Sequence, residues 1–547
     1  MNATFVNIAS HLPEMARRQP DTPAIIFPRG NRSLSFRELD AFSDRISHGL
    51  VKSGIRRGVR TVLMVNPSPE FFALTFALFK VGAVPVLIDP GLGIRNLKRC
   101  IAEAEPHAFI GIPKAHVARL LFGWGRGSLS TLVTAGTRLF WGGTTLSALQ
   151  RHAERDLPFP LAPTEGEETA AILFTSGSTG PPKGAIYSHA NFAAQVEALR
   201  QVYGIATGER DLPTFPLFAL FAPALGMTAV IPEMDFTRPG SVNPRRIIAA
   251  IHDYKVTTMF GSPALIDRVG RYGVAHGVKL PTLKRVISAG APVPAQVLER
   301  FTSLLAPGVE VFTPYGATEA LPVCSIGSSE ILGETRAITE AGGGVCIGRP
   351  VEGVRLEVVE VSDGPLPYWH EELKLPAGKI GEIVVQGAQV TRGYYGRPEA
   401  DRLAKIADPA TGGFFHRMGD LGGIDEDGRV WFCGRKSHRV ETAEGPLYTI
   451  PCEAVFNTHP LVRRTALVGV GERGSQRPVL CVELEKGVRA DEAQLRQELL
   501  ELGRAHIHTH GIDSILFHPA FPVDIRHNAK IFREKLARWA AGRLKQG

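Results

Sequence analysis

Leu173-Phe174-Thr175-Ser176-Gly177-Ser178-Thr179-Gly180-Pro181-Pro182-Lys183-Gly184 is the stretch on which the reading of this chain turns. It sets four hydroxyls and three glycines close together, and two prolines then hold a lysine at a fixed distance. Glycine lets backbone N–H groups approach an anion closely, and the hydroxyls of Thr175, Ser176, Ser178 and Thr179 add donors. Lys183 supplies a compact positive charge for the same anion. The apolar run Ala170-Ala171-Ile172-Leu173-Phe174 in front reads as a buried strand feeding the loop. The Gly-x-x-x-x-Gly-Lys-Ser/Thr spacing of a Walker A loop is absent. A flexible Ser/Gly linker would lack the strand ahead and the ordered Pro-Pro-Lys behind. The segment therefore reads as an anion-binding loop, here termed the phosphate-type loop, running from Thr175 through Gly177 and Gly180 to Lys183.

Further clusters follow downstream. Ser288-Ala289-Gly290-Ala291-Pro292 is a turn that ends a strand, and Tyr315-Gly316-Ala317-Thr318-Glu319 follows the apolar strand Val309-Glu310-Val311-Phe312-Thr313. His416-Arg417-Met418-Gly419-Asp420 and Gly434-Arg435 come next, and Pro522-Val523-Asp524-Ile525-Arg526-His527-Asn528-Ala529-Lys530 lies near the C-terminus. In this order the motifs resemble those of the AMP-forming adenylating enzymes, which include acyl-CoA synthetases, luciferases and peptide-synthetase adenylation domains. The resemblance runs from Ala16-Arg17-Arg18-Gln19-Pro20 to Lys530.

The resemblance implies a role for each motif. Activation of a carboxylate by ATP needs two anions brought together, an electrophilic α-phosphorus, a neutralised pyrophosphate and exclusion of water. Tyr315 would stack on adenine, with Gly316 and Ala317 beside it, and Gly290, Ala291 and Pro292 would lie along the purine. Thr318 would meet the α-phosphate and Glu319 would hold Mg²⁺. Asp420 would accept the ribose hydroxyls, and Arg435 would contact ribose or phosphate. Lys530, on a loop crossing the site, would bridge the carboxylate and the α-phosphate, although Asn528-Ala529 stands where Ser-Gly is commoner. Thr318, Glu319 and Lys530 are thus the expected catalytic residues, with ATP and Mg²⁺ as the expected nucleotide and metal. The fold implied is α/β: a large N-terminal domain of doubly wound subdomains in five layers plus a small β-barrel, then a small mobile α+β C-terminal lid.

Composition and patterning agree with such a body. The chain has 547 residues, 44% hydrophobic and 21% charged, too long for one compact core and ordinary for a globular protein. A net charge of +8 with scattered basic residues fits polyanionic small molecules and gives no nucleic-acid footprint. The six cysteines form no Cys-x-x-Cys pair, which fits a reduced compartment, and the first residues lack a signal-peptide pattern, so a cytoplasmic location is expected. Residues 71–89 are broken by Lys80 and Pro85, and residues 212–233 carry four prolines, so neither is expected to span a membrane. Periodicity predicts a helix over 35–54, a strand over 60–65, a helix over 71–81 and a strand over 84–88. The texture changes to strands and turns at 351–396. A boundary is expected after Arg435, giving domains of residues 1–435 and 436–547, the second with helices near 491–504 and 530–544 and a strand near 514–518.

The departures from the family pattern concern what happens after adenylation. Acyl-CoA synthetases often have histidine after Pro-Leu-Phe, but here Pro216-Leu217-Phe218 is followed by Ala219. Phe215, Phe218, Ala219 and Phe221 are expected to line an apolar pocket for alkyl chains, core packing being the alternative. Past Arg435 the usual hinge Asp or Lys is replaced by Ser437, and Val440-Glu441-Thr442-Ala443-Glu444 places two carboxylates where a CoA tunnel would want neutral or basic groups. CoA is therefore not expected. The wording of the Tyr315–Pro322 and Asp524–Lys530 segments resembles the β-lactone synthetases of bacterial long-chain olefin biosynthesis. That likeness implies adenylation of a 2-alkyl-3-hydroxy fatty acid whose own hydroxyl displaces AMP, and assembly with a thiolase, a reductase and a lactone decarboxylase. The other readings are a long-chain acyl-CoA or acyl-AMP ligase and a non-catalytic scaffold, the latter opposed by the retention of Lys183, Thr318, Glu319, Asp420, Arg435 and Lys530. The cluster His506, His508 and His510 reads as a solvated loop rather than a metal site.

Overall fold

Two seven-stranded sheets face each other across the largest core of the protein. In the computed structural model, residues 5–151, 157–175, 181–485, 487–488, 490–523 and 531–545 are described. The first sheet has the order Thr144–Thr145, Thr131–Thr134, Ala108–Gly111, Arg60–Met64, Val84–Ile88, Thr169–Thr175, Lys183–Ser188. All neighbours are parallel except the last pair, in which Thr175 opposes Lys183 across the ends of the phosphate-type loop. The second sheet runs Glu310–Phe312, Arg285–Ile287, Thr258–Phe260, Arg210–Pro213, Thr228–Val230, Pro23–Phe27, Arg32–Ser35, again parallel up to a terminal hairpin. Parallel strands buried on both faces explain why their sequences are continuously apolar rather than alternating.

The helices between the sheets carry the sequence logic most clearly. Phe36–Lys52 starts at a capping box in which Ser35 and Glu38 satisfy each other's backbone N–H groups, as a Ser three residues ahead of Glu foretells. Pro69–Lys80 is buried on every side, which is why its sequence is apolar all round. Its one buried charge, Lys80, is held by Asp40 at 2.6 Å and Asp44 at 2.5 Å, both from the neighbouring helix. A second core packs Pro244–Asp253, Pro263–Ala275 and Ala295–Thr302 on the outer side of the second sheet. A third packs Ile94–Ala104 against the first sheet, completing the five layers expected. Among the described residues, no helix is long and apolar enough to cross a membrane.

The expected small barrel is present as a six-stranded antiparallel half-barrel of Val345–Cys346, Val430–Arg435, Gly413–Ile424, Gly381–Gln386 and Arg355–Val359, with Lys405–Asp408 pairing Gly413–Ile424. Beyond it come the hairpin Val440–Thr442/Gly445–Leu447 and a three-stranded sheet of Val462–Val470, Arg477–Leu484 and Ser514–Phe517. Helices Thr449–Phe456 and Glu492–Arg504 pack on one side of that sheet, and Arg533–Leu544 on the other.

Candidate active site

The strand that leaves the phosphate-type loop organises one side of the site. Residues 183, 185 and 187 share a face of Lys183–Ser188. A backbone bridge joins Ala185 to Tyr394, flanked by bonds from Ile186 N–H to Gly393 O at 2.9 Å and from Tyr395 N–H to Gly184 O at 2.8 Å. This seats the Tyr394 ring 4.7 Å from the Lys183 ammonium, a cation–π contact. The Tyr394 hydroxyl donates to Glu319 Oε1 at 2.8 Å, and burial together with Glu319 pushes its pKa upward, so it stays a donor. Tyr187 donates to the carbonyl of Thr318. The loop lysine, the expected metal carboxylate and the expected α-phosphate threonine are thus tied together by two tyrosines. Thr175 ends its strand opposite Lys183, while Ser176, Gly177, Ser178, Thr179 and Gly180 lie outside the described residues.

Tyr315, Gly316 and Ala317 form one strand of a hairpin with Ala320–Ser325. A Cβ on Gly316 would stand 2.6 Å from the carbonyl oxygen of Ala320, so only glycine permits the closure of the hairpin that carries Thr318 and Glu319 at its turn. The Tyr315 hydroxyl donates to Asp420 Oδ2 at 2.7 Å. Asp420 and Arg435 are register partners on adjacent strands, 3.0 Å apart as an ion pair. Burial raises the Asp420 pKa, with Arg435 pulling the other way. Its Oδ1 has no well-directed hydrogen bond and retains acceptor capacity. A ribose hydroxyl fits that capacity, which suits the expected nucleotide. Gly290, at φ +103°, with Ala291 and Pro292 follows the strand Arg285–Ile287, where the buried Ser288 hydroxyl is also without a partner among the described residues.

For Mg²⁺, Glu319 is a suitable ligand, since a single carboxylate beside phosphates is the usual arrangement for this ion. Two neighbours of Glu319 escaped the sequence reading. Tyr394 follows Thr391-Arg392-Gly393, where a glycine beside paired aromatics after a turn was the available signal. Lys405 stands alone between Ala404 and Ile406. Its Nζ donates to the Thr391 carbonyl and lies 4.6 Å from the Phe414 ring. Burial lowers its pKa to about 7, opposed by Glu319 and Asp401. His416 is buried near it and is held well below its usual pKa by burial and by Lys405.

The apolar segment folds as a short 3₁₀ turn, Phe218–Leu220, and a helical turn, Phe221–Ala224. Phe218 sits centrally, 5.1 Å from Phe215, 4.5 Å from Phe260 and 6.5 Å from Phe221. Phe215, Phe218 and Phe221 are half-buried and Ala219 is fully buried, so the three rings form one aromatic cluster partly open to solvent. Glu441 needs correction. Its carboxylate is paired with Arg439 at 2.7 Å and Arg473 at 2.6 Å, so it is already neutralised and would repel CoA phosphates far less than expected. The same two arginines reach Asp363 at 3.0 and 3.2 Å. Only Glu444, exposed in the hairpin turn, keeps the expected character. His508 also differs from a solvated loop. It is half-buried, with Nε2 3.3 Å from the Pro451 carbonyl, and no cluster of three or more His, Cys, Asp or Glu placed to hold a metal occurs among the described residues.

Lys530 lies outside the described residues, with 524–529 before it. The chain on either side is closed by a bridge between Val523 and Ile531 and by Phe532 N–H donating to Pro522 O at 2.9 Å. Arg533 then makes two contacts with the buried Glu453, at 2.5 and 2.9 Å, fixing the start of the last helix. At the other end of the proposed lid, Gly434 has φ +120°, and a Cβ there would stand 2.5 Å from Thr449 Oγ1, so glycine lets the start of the helix Thr449–Phe456 pack directly on this strand.

Comparison with known proteins agrees with this geometry. Residues 12–395 match the AMP-binding enzyme family. The chain is 53% identical over 553 residues to "Olefin beta-lactone synthetase" of Stenotrophomonas maltophilia, covering 99% of each chain. It is 51% identical to the protein of the same name in Xanthomonas campestris pv. campestris, covering 98% of each. Among solved structures, the amide bond synthetase McbA from Marinactinospora thermotolerans superposes with a TM-score of 0.80 at 23% identity, covering 97% of this chain and 99% of that one, a likeness of fold.

Proposed function

The chain belongs to the AMP-binding enzyme family, and from that premise we propose that it is an AMP-forming ligase that makes a β-lactone from a long-chain 2-alkyl-3-hydroxy acid in olefin formation. The observation that carries the reading is the 53% identity, end to end, with a protein named for that activity. The substrate carboxylate attacks the α-phosphorus of ATP, and the bond to pyrophosphate breaks. The substrate's 3-hydroxyl oxygen then attacks the acyl carbon, AMP leaves with the bonding electrons, and the hydroxyl proton passes to a base. Ring strain opposes closure, so the site must hold hydroxyl and carbonyl together and keep water from the mixed anhydride.

In this reading Asp420 and Arg435 grip the ribose, Tyr315 orients Asp420 and presents its ring to adenine, and Lys183 meets the phosphates. Glu319 holds Mg²⁺, which supplies neutralisation of phosphate charge. Phe215, Phe218 and Phe221 accommodate alkyl chain. Residues 436–547 act as a lid that carries Lys530, with residues 1–435 as the body. Assembly with a thiolase, a reductase and a lactone decarboxylase, and a cytoplasmic setting, belong to the same proposal.

A long-chain acyl-CoA or acyl-AMP ligase remains the second reading, because the pairing of Glu441 with Arg439 and Arg473 lowers one barrier to CoA. Incubation with ATP, Mg²⁺ and a 2-alkyl-3-hydroxy acid, with and without CoA, separates the two. The proposal expects AMP, pyrophosphate and β-lactone in equal amounts with no effect of CoA. The acid lacking the hydroxyl should stall after about one pyrophosphate per enzyme, because the internal nucleophile is missing. Rapid turnover of that deoxy acid to a thioester would instead establish the ligase.

A further inference from the structure

Between Glu105 and Glu154 the chain contains no aspartate or glutamate, yet Lys114, Arg119, Arg126, Arg138 and Arg151 all fall in the interval. The helix Pro113–Phe122 within it buries His116 and leaves Val117, Leu120 and Leu121 exposed at i, i+3 and i+4, one continuous face with Lys114 a turn ahead. Leu121 is 74% exposed. The loop after the strand Thr131–Thr134 adds Leu139 and Phe140, the latter 81% exposed. This loop is not loose at that point. Trp141 is buried, donates Nε1–H to Thr134 Oγ1 at 2.9 Å and stacks on His116 at 5.2 Å, while Phe140 sits 5.6 Å from Trp141 on the outside. An anchored scaffold therefore holds five apolar side chains in water, more than scattered surface exposure accounts for.

Within this stretch of chain the charge is of one sign. Lys114, Arg126 and Arg138 are exposed and form no ion pair among the described residues. Exposed aliphatic and aromatic tips accompanied by cations outside any ion pair are the composition of a surface that enters the headgroup region of an anionic bilayer. A protein partner would have to present carboxylates around an apolar pocket, for which nothing in this face calls. We propose that this face, Val117, Leu120, Leu121, Leu139 and Phe140 with Lys114, Arg126 and Arg138, docks on a membrane surface containing anionic phospholipid.

Its place in the fold gives the docking a use. The strands Thr131–Thr134, Ala108–Gly111, Arg60–Met64, Val84–Ile88 and Thr169–Thr175 are all parallel, so their C-terminal ends share one edge of the sheet. The loop of Phe140 and the start of Pro113–Phe122 leave that edge, as does the chain after Thr175. Four strand spacings of about 4.8 Å separate the outer loop from Thr175, roughly 19 Å. A membrane on this face lies beside the site, where long alkyl chains would otherwise have to cross water. That use rests on the proposed function, whereas the docking itself does not.

The test is flotation of the full-length protein with vesicles of phosphatidylethanolamine containing a quarter phosphatidylglycerol, against pure phosphatidylcholine. Binding is expected to the first and not the second, and to fall steeply with salt. Phe140→Ser and Leu121→Ser should each weaken it roughly tenfold, and Lys114→Gln and Arg138→Gln about fivefold each. All four side chains are exposed, so the melting temperature and pyrophosphate release with a short water-soluble acid should be unchanged. Absence of flotation at low salt, or flotation indifferent to Phe140→Ser, would overturn the proposal. So would a concentration-dependent dimer that Phe140→Ser dissolves, which would make the face a contact between two copies.

Discussion

Removing one oxygen atom from Tyr394 isolates a link in the site that no motif announces. Tyr394→Phe keeps the ring 4.7 Å from the Lys183 ammonium but deletes the donor that meets Glu319 Oε1 at 2.8 Å. A hydrogen bond to a charged acceptor is worth about 1.5–3 kcal/mol. If that energy serves to hold the carboxylate in its metal-binding position, its loss lowers kcat/KM for adenylation about 10- to 150-fold. The loss should appear first as a higher Mg²⁺ requirement, because the freed carboxylate can turn into solvent. Tyr394→Leu removes the ring as well and forfeits the contact with Lys183, about 0.5–2 kcal/mol more. That increment should appear in the KM for ATP rather than in the Mg²⁺ titration. The assay is continuous pyrophosphate release at varied Mg²⁺ and ATP. A Tyr394→Phe enzyme with an unchanged Mg²⁺ midpoint and rate would refute the reasoning, since the hydroxyl would then be merely a satisfied buried group.

Glu319→Gln should keep the fold, raise the Mg²⁺ requirement and slow adenylation, a neutral oxygen being the weaker ligand; an unchanged Mg²⁺ titration would show that the carboxylate does something else. Lys530→Ala should lower the adenylation rate by roughly two to four powers of ten with ATP affinity nearly intact; undiminished pyrophosphate release would remove Lys530 from the mechanism. Lys405 gives a pH signature. Burial lowers its folded pKa to about 7, against about 10.4 when unfolded, so the unfolded chain binds the extra proton between those values and stability rises with pH across that window. Lys405→Met should therefore flatten the melting temperature against pH from about 7 to 10 relative to the parent and be the more stable at pH 7 and below; parallel curves for the two proteins would refute it.

The sequence carries the local part of this structure and is silent on the part made by long-range register. Ser35 and Glu38 announce their helix start because the capping box is complete within four residues. Val84–Ile88 is found to the residue because a five-residue apolar run rich in β-branched side chains, with Gly82 ahead of it and Pro85 within it, is too short and too broken for a helix. Asp420 and Arg435 are visible as motifs, but that they are register partners follows only from the pairing of two strands. Tyr394 reaches Glu319 across 75 residues through a bridge to Ala185, and nothing in its own neighbourhood records that. Glu441 shows both cases: Arg439 is a neutraliser two residues away, visible in the sequence, whereas Arg473 arrives from the connection between two later strands. A lone lysine between apolar residues, such as Lys405, has the look of an exposed residue until the fold places it under Thr391.

The ion pairs around Asp363 have a consequence for timing. Asp363 belongs to the proposed body, whereas Glu441 and Arg473 belong to the proposed lid, and Arg439 and Arg473 join the two. Any turning of the lid against the body must part Asp363 from both arginines. The Arg473 contact is open to water, both partners being more than half exposed, and such pairs hold by about 0–1 kcal/mol each. That half of the latch does not arrest motion but sets how often it slips, and dissolved ions set its grip, whereas the Arg439 half is more sheltered, its side chain being only 8% exposed. The screening length shrinks from about 8 Å at physiological salt to about 3 Å in molar salt. Ionic strength should then act as a clutch on the lid, freeing its rotation with less effect on the nucleotide grip of Asp420 and Arg435, paired on adjacent strands with Asp420 buried.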